Sequence, residues 1–425
     1  MRLIYDLGIR IYYLAILLSS PFNPKAKRWM RGRRGLLKSI AEKVDPGIPL
    51  IWFHCSSLGE FEQGRPVIEK IRREFPGKKI LLTFFSPSGY EIRKNYPGAE
   101  YVFYLPLDTR KNARRFLGLV HIERAFFVKY EFWYHFLTGL RARKIPVYLI
   151  SGIFRKNQVF FKWYGDWYRK ILGVFDHLFV QQETSLSLLE SIGIRKASVS
   201  GDTRFDRVFE ITQNVASDPR FLSFSGHLPV IVAGSTWPAD EEILIRYIQE
   251  AGSSCKWILV PHEIHEANIG RLEDRIRMKV QRYTRIGKEE TEKENLEDTG
   301  VIVVDTIGLL SSLYQYASVA YIGGGFGKGI HNTLEAAAFG KPVIFGPHYQ
   351  KFQEARDLAD RGAAFPVQNY AGFRSVLDRL LNDPQTLKKA GNAAGTYVKS
   401  MLGASSRIVD LALRNKTGSQ SGSSY

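Results

Sequence analysis

Short apolar runs alternate with stretches of helical length twice along this chain, and no other feature limits its fold as tightly. In the first series the runs are 50–54, 80–84, 101–105, 125–128, 147–150, 177–180 and 197–200. Helical segments separate them: 63–75 sets Val67, Ile68 and Ile71 on one face, and 110–119 follows Asp108 as its expected cap. Strands rich in Val, Ile, Leu and Phe without polar alternation, joined by helices, describe a parallel sheet covered on both faces. A second series has runs at 230–233, 257–260, 301–304, 319–322 and 343–345. Between the two, 209–228 lacks a strong pattern and holds Pro219 and Gly226, as an interdomain connection should. The expectation is α/β: two doubly wound, Rossmann-like domains, with ligands beyond the carboxyl ends of the strands and the active site in the cleft between them.

Length agrees, since 425 residues exceed one ordinary core. The formal charge of +18 calls for a polyanionic partner, whether nucleic acid, anionic lipid or a phosphorylated substrate. Cys55 and Cys255 have no metal-ligand spacing, which argues against a zinc site or disulfide framework. No nucleic-acid motif is present, so a membrane-bound nucleic-acid protein is the weaker reading of the charge.

The N-terminal residues favour lipid. The run 11–18 (IYYLAILL) precedes a basic cluster, and residues 1–34 carry eight Lys or Arg against one acid, Asp6. The run is shorter than the roughly 18 to 20 apolar residues of a membrane span, and no small-residue cleavage site follows it. An interfacial anchor is expected, its apolar side chains in the headgroup boundary and its cations against anionic lipid. The alternative is a first helix packed on its domain beside a solvated basic loop. The charged stretch 288–300 is expected to be an exposed loop or solvated helix, and the tail from Thr417 disordered.

The stretch 323–347, GGGFGKGIHNTLEAAAFGKPVIFGP, carries the densest functional signal. Its glycines permit positive φ and close approach to a ligand, and a helix expected to start near Asn332 offers unpaired amides to an anion. Glu335, one turn in, is suited to accept hydrogen bonds from a sugar diol. In the first half, 54–66 (HCSSLGEFEQGRP) puts Glu60 in the loop after a strand, as a general base or as a helix cap. Glu62 competes for the base role from inside the helix, and Cys55 is expected to be a packed side chain.

Taken in order, Ser57-Leu58-Gly59-Glu60-Phe61-Glu62, Tyr130-Glu131-Phe132-Trp133, Gly201-Asp202-Thr203-Arg204-Phe205-Asp206, Ala233-Gly234-Ser235-Thr236, Asp305-Thr306-Ile307-Gly308 and Gly329-Ile330-His331-Asn332-Thr333-Leu334-Glu335 resemble the 3-deoxy-D-manno-octulosonic acid (Kdo) transferases of lipopolysaccharide synthesis. The likeness spans about residues 50 to 370. It implies a GT-B glycosyltransferase that moves Kdo from CMP-Kdo to lipid IVA, a lipid A precursor, at the cytoplasmic face of the cell inner membrane. It further implies Glu60 as proton acceptor, with Glu131 and Arg204 assisting the transition state. CMP contacts carry over to His262, Glu263, Ile307, Gly308, Leu309, Asn332, Thr333, Leu334 and Glu335. The chain departs from the family in having His262-Glu263-Ile264 for Arg-His-Pro, Ile307-Gly308-Leu309 for Met-Gly-Glu, and Arg204 for Lys, a planar fork in place of a point charge.

The domains expected are a membrane-interface segment 1–34, an acceptor domain 35–208, a link 209–228, a CMP-sugar domain 229–400 and a C-terminal helix and tail 401–425. A base on one face of the sugar and a stabilised phosphate on the other imply one inverting displacement. Arg204 and the helix near Asn332 would supply positive potential, with no cofactor or required divalent ion. The acceptor's phosphates and acyl chains would meet Arg110, Lys111, Arg114, Arg115, Arg141, Arg143 and Lys144 and the aromatic segment 160–168. An enzyme of the same fold using a UDP-sugar, as a transferase or epimerase, is the alternative.

Overall fold

Burial on both faces is what the apolar runs demand, and the computed structural model, which describes residues 1–286 and 296–414, meets it with two parallel sheets. The first contains β1 (Leu50–Cys55), β2 (Lys79–Phe84), β3 (Tyr101–Tyr104), β4 (Ile122–Val128), β5 (Val147–Gly152), β6 (His177–Val180) and β7 (Ala197–Val199), in the order β3-β2-β1-β4-β5-β6-β7. Every residue of β1 is buried. Alternation sends Trp52 to one face, against Phe116, Phe127 and Phe136, and Phe53 to the other, where its ring stacks on Phe126 at 4.7 Å. After β3 the chain crosses back to place β4 on the other side of β1, so the loops leaving β1 and β4 diverge and open the crevice of a doubly wound sheet.

The second sheet contains β8 (Val230–Thr236), β9 (Lys256–Pro261), β10 (Val280–Arg282), β11 (Val301–Val303), β12 (Val319–Ile322), β13 (Val343–Phe345) and β14 (Ala364–Pro366), ordered β10-β11-β9-β8-β12-β13-β14. Its switch point lies between β8 and β12. The edge strands β10 and β14 fall outside the apolar runs: each is three residues long, one with a polar centre and the other ending in proline.

Chain contacts group residues 1–206 with those from 403 onward into one unit and 207–402 into another. The C-terminal helix Ala404–Val409 completes the first core with Ile408 and Val409, joined by Ala412. Asp206 caps that helix, its carboxylate accepting from the amides of Gly403 (2.7 Å) and Ser405 (2.6 Å). Arg407 donates to the Ser200 carbonyl at 2.5 Å, and Arg414 pairs with Glu74 at 2.7 Å. The stretch 209–228 holds the end of the helix Thr203–Asn214 and a second helix, Pro219–Ser225, with Phe221 and Phe224 buried.

No single helix among the described residues is long and apolar enough to cross a membrane; Arg2–Ser19 and Pro24–Arg33 reach that measure only as a pair bent by 120°. The helix Arg2–Ser19 buries none of its residues. One side is tied down: Tyr5 donates to Asp108 at 2.5 Å, Asp6 meets His135 at 2.5 Å, and the Tyr12 ring packs on Trp29 and Phe85. Leu3, Leu7, Ile11, Leu14, Leu18 and Phe22 are left exposed. Arg33 is largely buried with no carboxylate partner among the described residues, lies 3.8 Å over the Trp29 ring and donates to the carbonyls of Phe85 and Leu105. Burial pushes its guanidinium down to about 9. Residues 288–295 of the charged stretch and the tail from Thr417 lie outside the described residues.

Candidate functional site

The loop after β1 is shorter than expected, and Glu60 lies inside the helix Leu58–Glu74 rather than before it. Ser57 caps that helix and Glu60 reaches back from its first turn, so the two form a capping box. Oε2 of Glu60 accepts from the Ser57 amide at 3.0 Å and meets the Ser57 hydroxyl, while Oε1 has no hydrogen-bond partner among the described residues. The cap therefore occupies one oxygen of the carboxylate and leaves the other open for the expected base role. Glu62 is engaged elsewhere, with Arg93 at 2.8 Å and Arg65 at 3.8 Å.

Glu131 follows β4 across the switch point and is buried. Its Oε2 accepts from the Trp133 indole at 2.6 Å and lies 3.2 Å from Nε2 of His54, the fifth residue of β1. Behind it, His54 Nδ1 is 2.9 Å from the Thr83 hydroxyl, which accepts from the Trp52 indole at 2.8 Å. Phe85 packs its ring 4.5 Å from Trp133 and holds the indole in place. Burial pushes the Cys55 thiol well up, and Glu60, Glu131 and Glu62 add to the shift. Cys55 is thus a packed side chain rather than a thiolate nucleophile, with those carboxylates around it.

Arg204 opens the helix Thr203–Asn214 and is half of an ion pair: Nε and Nη2 reach Asp202 Oδ2 at 2.9 and 2.7 Å. Thr203 donates to the Gln63 carbonyl at 2.6 Å, which brings this helix start against the Glu60 helix. The structure thereby gathers Glu60, Glu131 and Arg204 at the carboxyl end of one sheet.

In the second unit the loops leaving β8 and β12 are bound together. Asp240, buried in the first turn of the helix Pro238–Ala251, accepts from the amides of Trp237 (3.0 Å) and Gly324 (2.8 Å) and from the Tyr321 hydroxyl (2.8 Å). A Cβ on Gly323 would lie 2.3 Å from the Ser235 carbonyl oxygen, and one on Gly325 2.5 Å from the Gly346 amide. These two glycines let neighbouring loops touch rather than admit a ligand, whereas Gly324 and Gly329 use positive φ, +89° and +139°.

His262, exposed at the end of β9, stacks between Trp237 (4.4 Å) and His331 (4.6 Å). The Trp237 indole donates to His331 Nε2 at 3.0 Å, which requires an unprotonated nitrogen there. Burial lowers the His331 pKa first, and the neighbouring His262 lowers it further. A base whose folded pKa lies below its unfolded value of about 6.5 stabilises the fold above that pH and loses the contribution as pH falls. The thermal midpoint is therefore expected to drop as pH is taken from 7 to 5.5, and His331→Gln, measured by circular dichroism, to flatten that dependence.

Of the other expected nucleotide contacts, Glu263 is exposed and its carboxylate accepts from the Asn268 amide at 3.4 Å. Ile307 is 85% exposed, Gly308 has φ +96°, and Leu309 precedes the short helix Leu310–Leu313. The helix expected near Asn332 spans only Leu334–Ala338, capped at Thr333. Asn332 turns its amide oxygen to the Leu334 amide (3.1 Å) and its NH2 to Glu335 (3.0 Å). Glu335 also accepts from Ser311 at 2.7 Å, joining the Leu309 segment to this turn. Leu334 is buried, and Thr333 is buried with its hydroxyl unpaired among the described residues.

Asp108 does not cap 110–119. Thr109 does, and Asp108 is buried, accepting from the amides of His135 and Phe136 and from Tyr5. The seven basic residues expected to meet the acceptor are all exposed, as are Trp163 and Tyr164, while Phe160 is in the core. Sequence reasoning missed His54, Thr83, Trp237 and Asp240. A threonine inside the apolar run ILLTFF was the one signal for the buried network.

Residues 28–207 match the family model described as 3-deoxy-D-manno-octulosonic-acid transferase (kdotransferase). A 3-deoxy-D-manno-octulosonic acid transferase of Aquifex aeolicus is 28% identical over 365 residues, covering 83% of this chain and 92% of the relative. One from Haemophilus influenzae is 25% identical over 406 residues and 93% of each chain, and one from Chlamydia muridarum 29% identical over 312 residues, covering 71% and 70%. Among solved structures, a glycosyltransferase from Rickettsia africae aligns at TM-score 0.55 and 12% identity over 86% of this chain and 98% of the other. The UDP-GlcNAc 2-epimerase of Neisseria meningitidis aligns at TM-score 0.51 and 14% identity, over 87% and 100%. These likenesses assign the fold, GT-B.

Proposed function

We propose that this chain, which belongs to the 3-deoxy-D-manno-octulosonic acid transferase family, takes Kdo from CMP-Kdo and places it on lipid IVA with inversion at the anomeric carbon. Membership makes it a glycosyltransferase of lipopolysaccharide synthesis; donor, acceptor and stereochemistry are our reading. The observation that carries the reading is the pair Glu60 and Glu131, each with Oε2 pinned by donors and Oε1 without a hydrogen-bond partner among the described residues, on the two sides of one switch point. A carboxylate oxygen held this way can take the proton of an attacking sugar hydroxyl. Arg204, anchored by Asp202, adds a cation at the same end of the sheet. In the second unit the loops of the other switch point, with the His262 stack and Glu335, offer a base-stacking surface and a diol-binding carboxylate to the nucleotide. Leaving-group charge would be met by side chains and loop amides, because a five-residue helix contributes little dipole.

The acceptor explains the first unit's surface. Leu3, Leu7, Ile11, Leu14 and Leu18 form an exposed apolar face beside the cations of residues 1–34, the composition of a helix lying in a membrane interface. We place the chain at the cytoplasmic side of the inner membrane on that basis. Incubation of the purified chain with CMP-Kdo and lipid IVA, followed by mass spectrometry, is expected to show lipid IVA heavier by Kdo, with CMP inhibiting and UDP not. No mass gain, or inhibition by UDP alone, would favour the UDP-sugar reading instead.

A further inference from the structure

The buried chain Trp52, Thr83, His54, Glu131 has a hydrogen-bond direction that can be deduced from one end. An indole nitrogen only donates, so the Thr83 hydroxyl accepts from Trp52 at 2.8 Å. The hydroxyl hydrogen then points to His54 Nδ1 at 2.9 Å in preference to the Phe53 carbonyl at 3.4 Å. A neutral imidazole that accepts at Nδ1 carries its hydrogen on Nε2, and that hydrogen faces Glu131 Oε2 at 3.2 Å. The opposite tautomer would set a nitrogen lone pair against a carboxylate oxygen. The Trp133 indole, nearer to Oε2 (2.6 Å) than to His54 Nε2 (3.0 Å), supplies the second donor.

We infer that His54 is a positioning residue: with Trp133 it fixes Oε2 of Glu131 through two N–H donors and so leaves Oε1 as the oxygen presented to substrate. The inference rests on the transferase reading above and deepens it. Both donors come from rigid surroundings. His54 lies within β1, paired in register with Thr83 of β2, and Trp133 is wedged against Phe85. A buried carboxylate held on one oxygen loses most of its rotational freedom, which is the requirement for presenting the other in a reactive geometry. His54 itself is fully buried and touches no solvent, so it acts on substrate through Glu131 rather than directly.

Two measurements test this separately. Histidine-selective nitrogen-15 NMR of the whole, unliganded protein should show His54 protonated at Nε2 and accepting at Nδ1; the Nδ1–H tautomer overturns the inference whatever the substrate. Kinetics with CMP-Kdo and lipid IVA should show His54→Asn, which cannot reach Glu131, lowering kcat about 30-fold with KM for the donor changed less than about threefold. His54→Gln, whose amide nitrogen falls near the lost Nε2, should recover most of the rate, and Thr83→Ser should stay near wild type. Equal loss in the Gln and Asn variants, both folded by circular dichroism, or a rise in KM at constant kcat, overturns the positioning role. A wild-type chain inactive on this pair of substrates but showing the expected tautomer would fault the substrate reading and leave the hydrogen-bond relay standing.

Discussion

Glu60→Gln is expected to lower turnover by about 10³-fold and leave the thermal midpoint nearly unchanged. The capping box explains why this isostere separates two roles that alanine would confuse. Glutamine at the third helical position still offers a carbonyl oxygen to the Ser57 amide, so the start of the helix Leu58–Glu74 is preserved. What glutamine lacks is a second oxygen able to take up a proton. Glu60→Ala would remove both functions and add a stability cost of about 1 kcal/mol from the lost cap. Steady-state kinetics beside thermal unfolding of both variants would decide the matter. Glu131→Gln belongs in the same experiment: should it lose the larger factor while Glu60→Gln stays within tenfold of wild type, the proton acceptor is Glu131.

The largest stability effect is expected at Asp240. Alanine there strands the Trp237 amide, the Gly324 amide and the Tyr321 hydroxyl, three donors that meet one buried carboxylate. Each buried donor left unpaired costs about 1 to 3 kcal/mol, so a loss of about 4 kcal/mol is expected, or about 10 °C in the unfolding midpoint. Asparagine should cost much less, because its amide oxygen can take the two backbone amides while the Tyr321 hydroxyl reverses to accept from the NH2. Donor binding should weaken with stability in the alanine variant, since Asp240 ties the glycine-rich loop to the helix Pro238–Ala251. Calorimetry giving less than about 1 kcal/mol for Asp240→Ala would mean that the loop is held by its glycine contacts instead.

Strand positions were legible because burial on both faces writes itself as unbroken apolar sequence. All seven strands of the first sheet coincide with such runs, and β10 and β14 escaped because a polar centre in one and a terminal proline in the other break the apolar run. Local chemistry was harder to read where two residues could perform one task. Asp108 and Thr109 are both good caps by type, and only the tertiary demand of the His135 and Phe136 amides diverts the aspartate. At Glu60 the sequence allows a cap or a base, and the capping geometry leaves one carboxylate oxygen open for the second role. The glycine cluster was legible as a loop of special conformation, but not as one whose Gly323 and Gly325 serve contacts with Ser235 and Gly346, residues distant in sequence. His54 offered no signal of its own, since a histidine within an apolar strand is defined by partners on other strands.

The C-terminal helix gives the order of assembly an unexpected direction. Ile408, Val409 and Ala412 belong to the core built around β1, β2 and the helix Leu58–Glu74, so the half of the chain translated first stays incomplete until the last described residues have left the ribosome. The half translated in between forms a compact unit of its own, 207–402, and can close as soon as residue 402 is free. A nascent chain of this protein would thus finish its middle before its beginning.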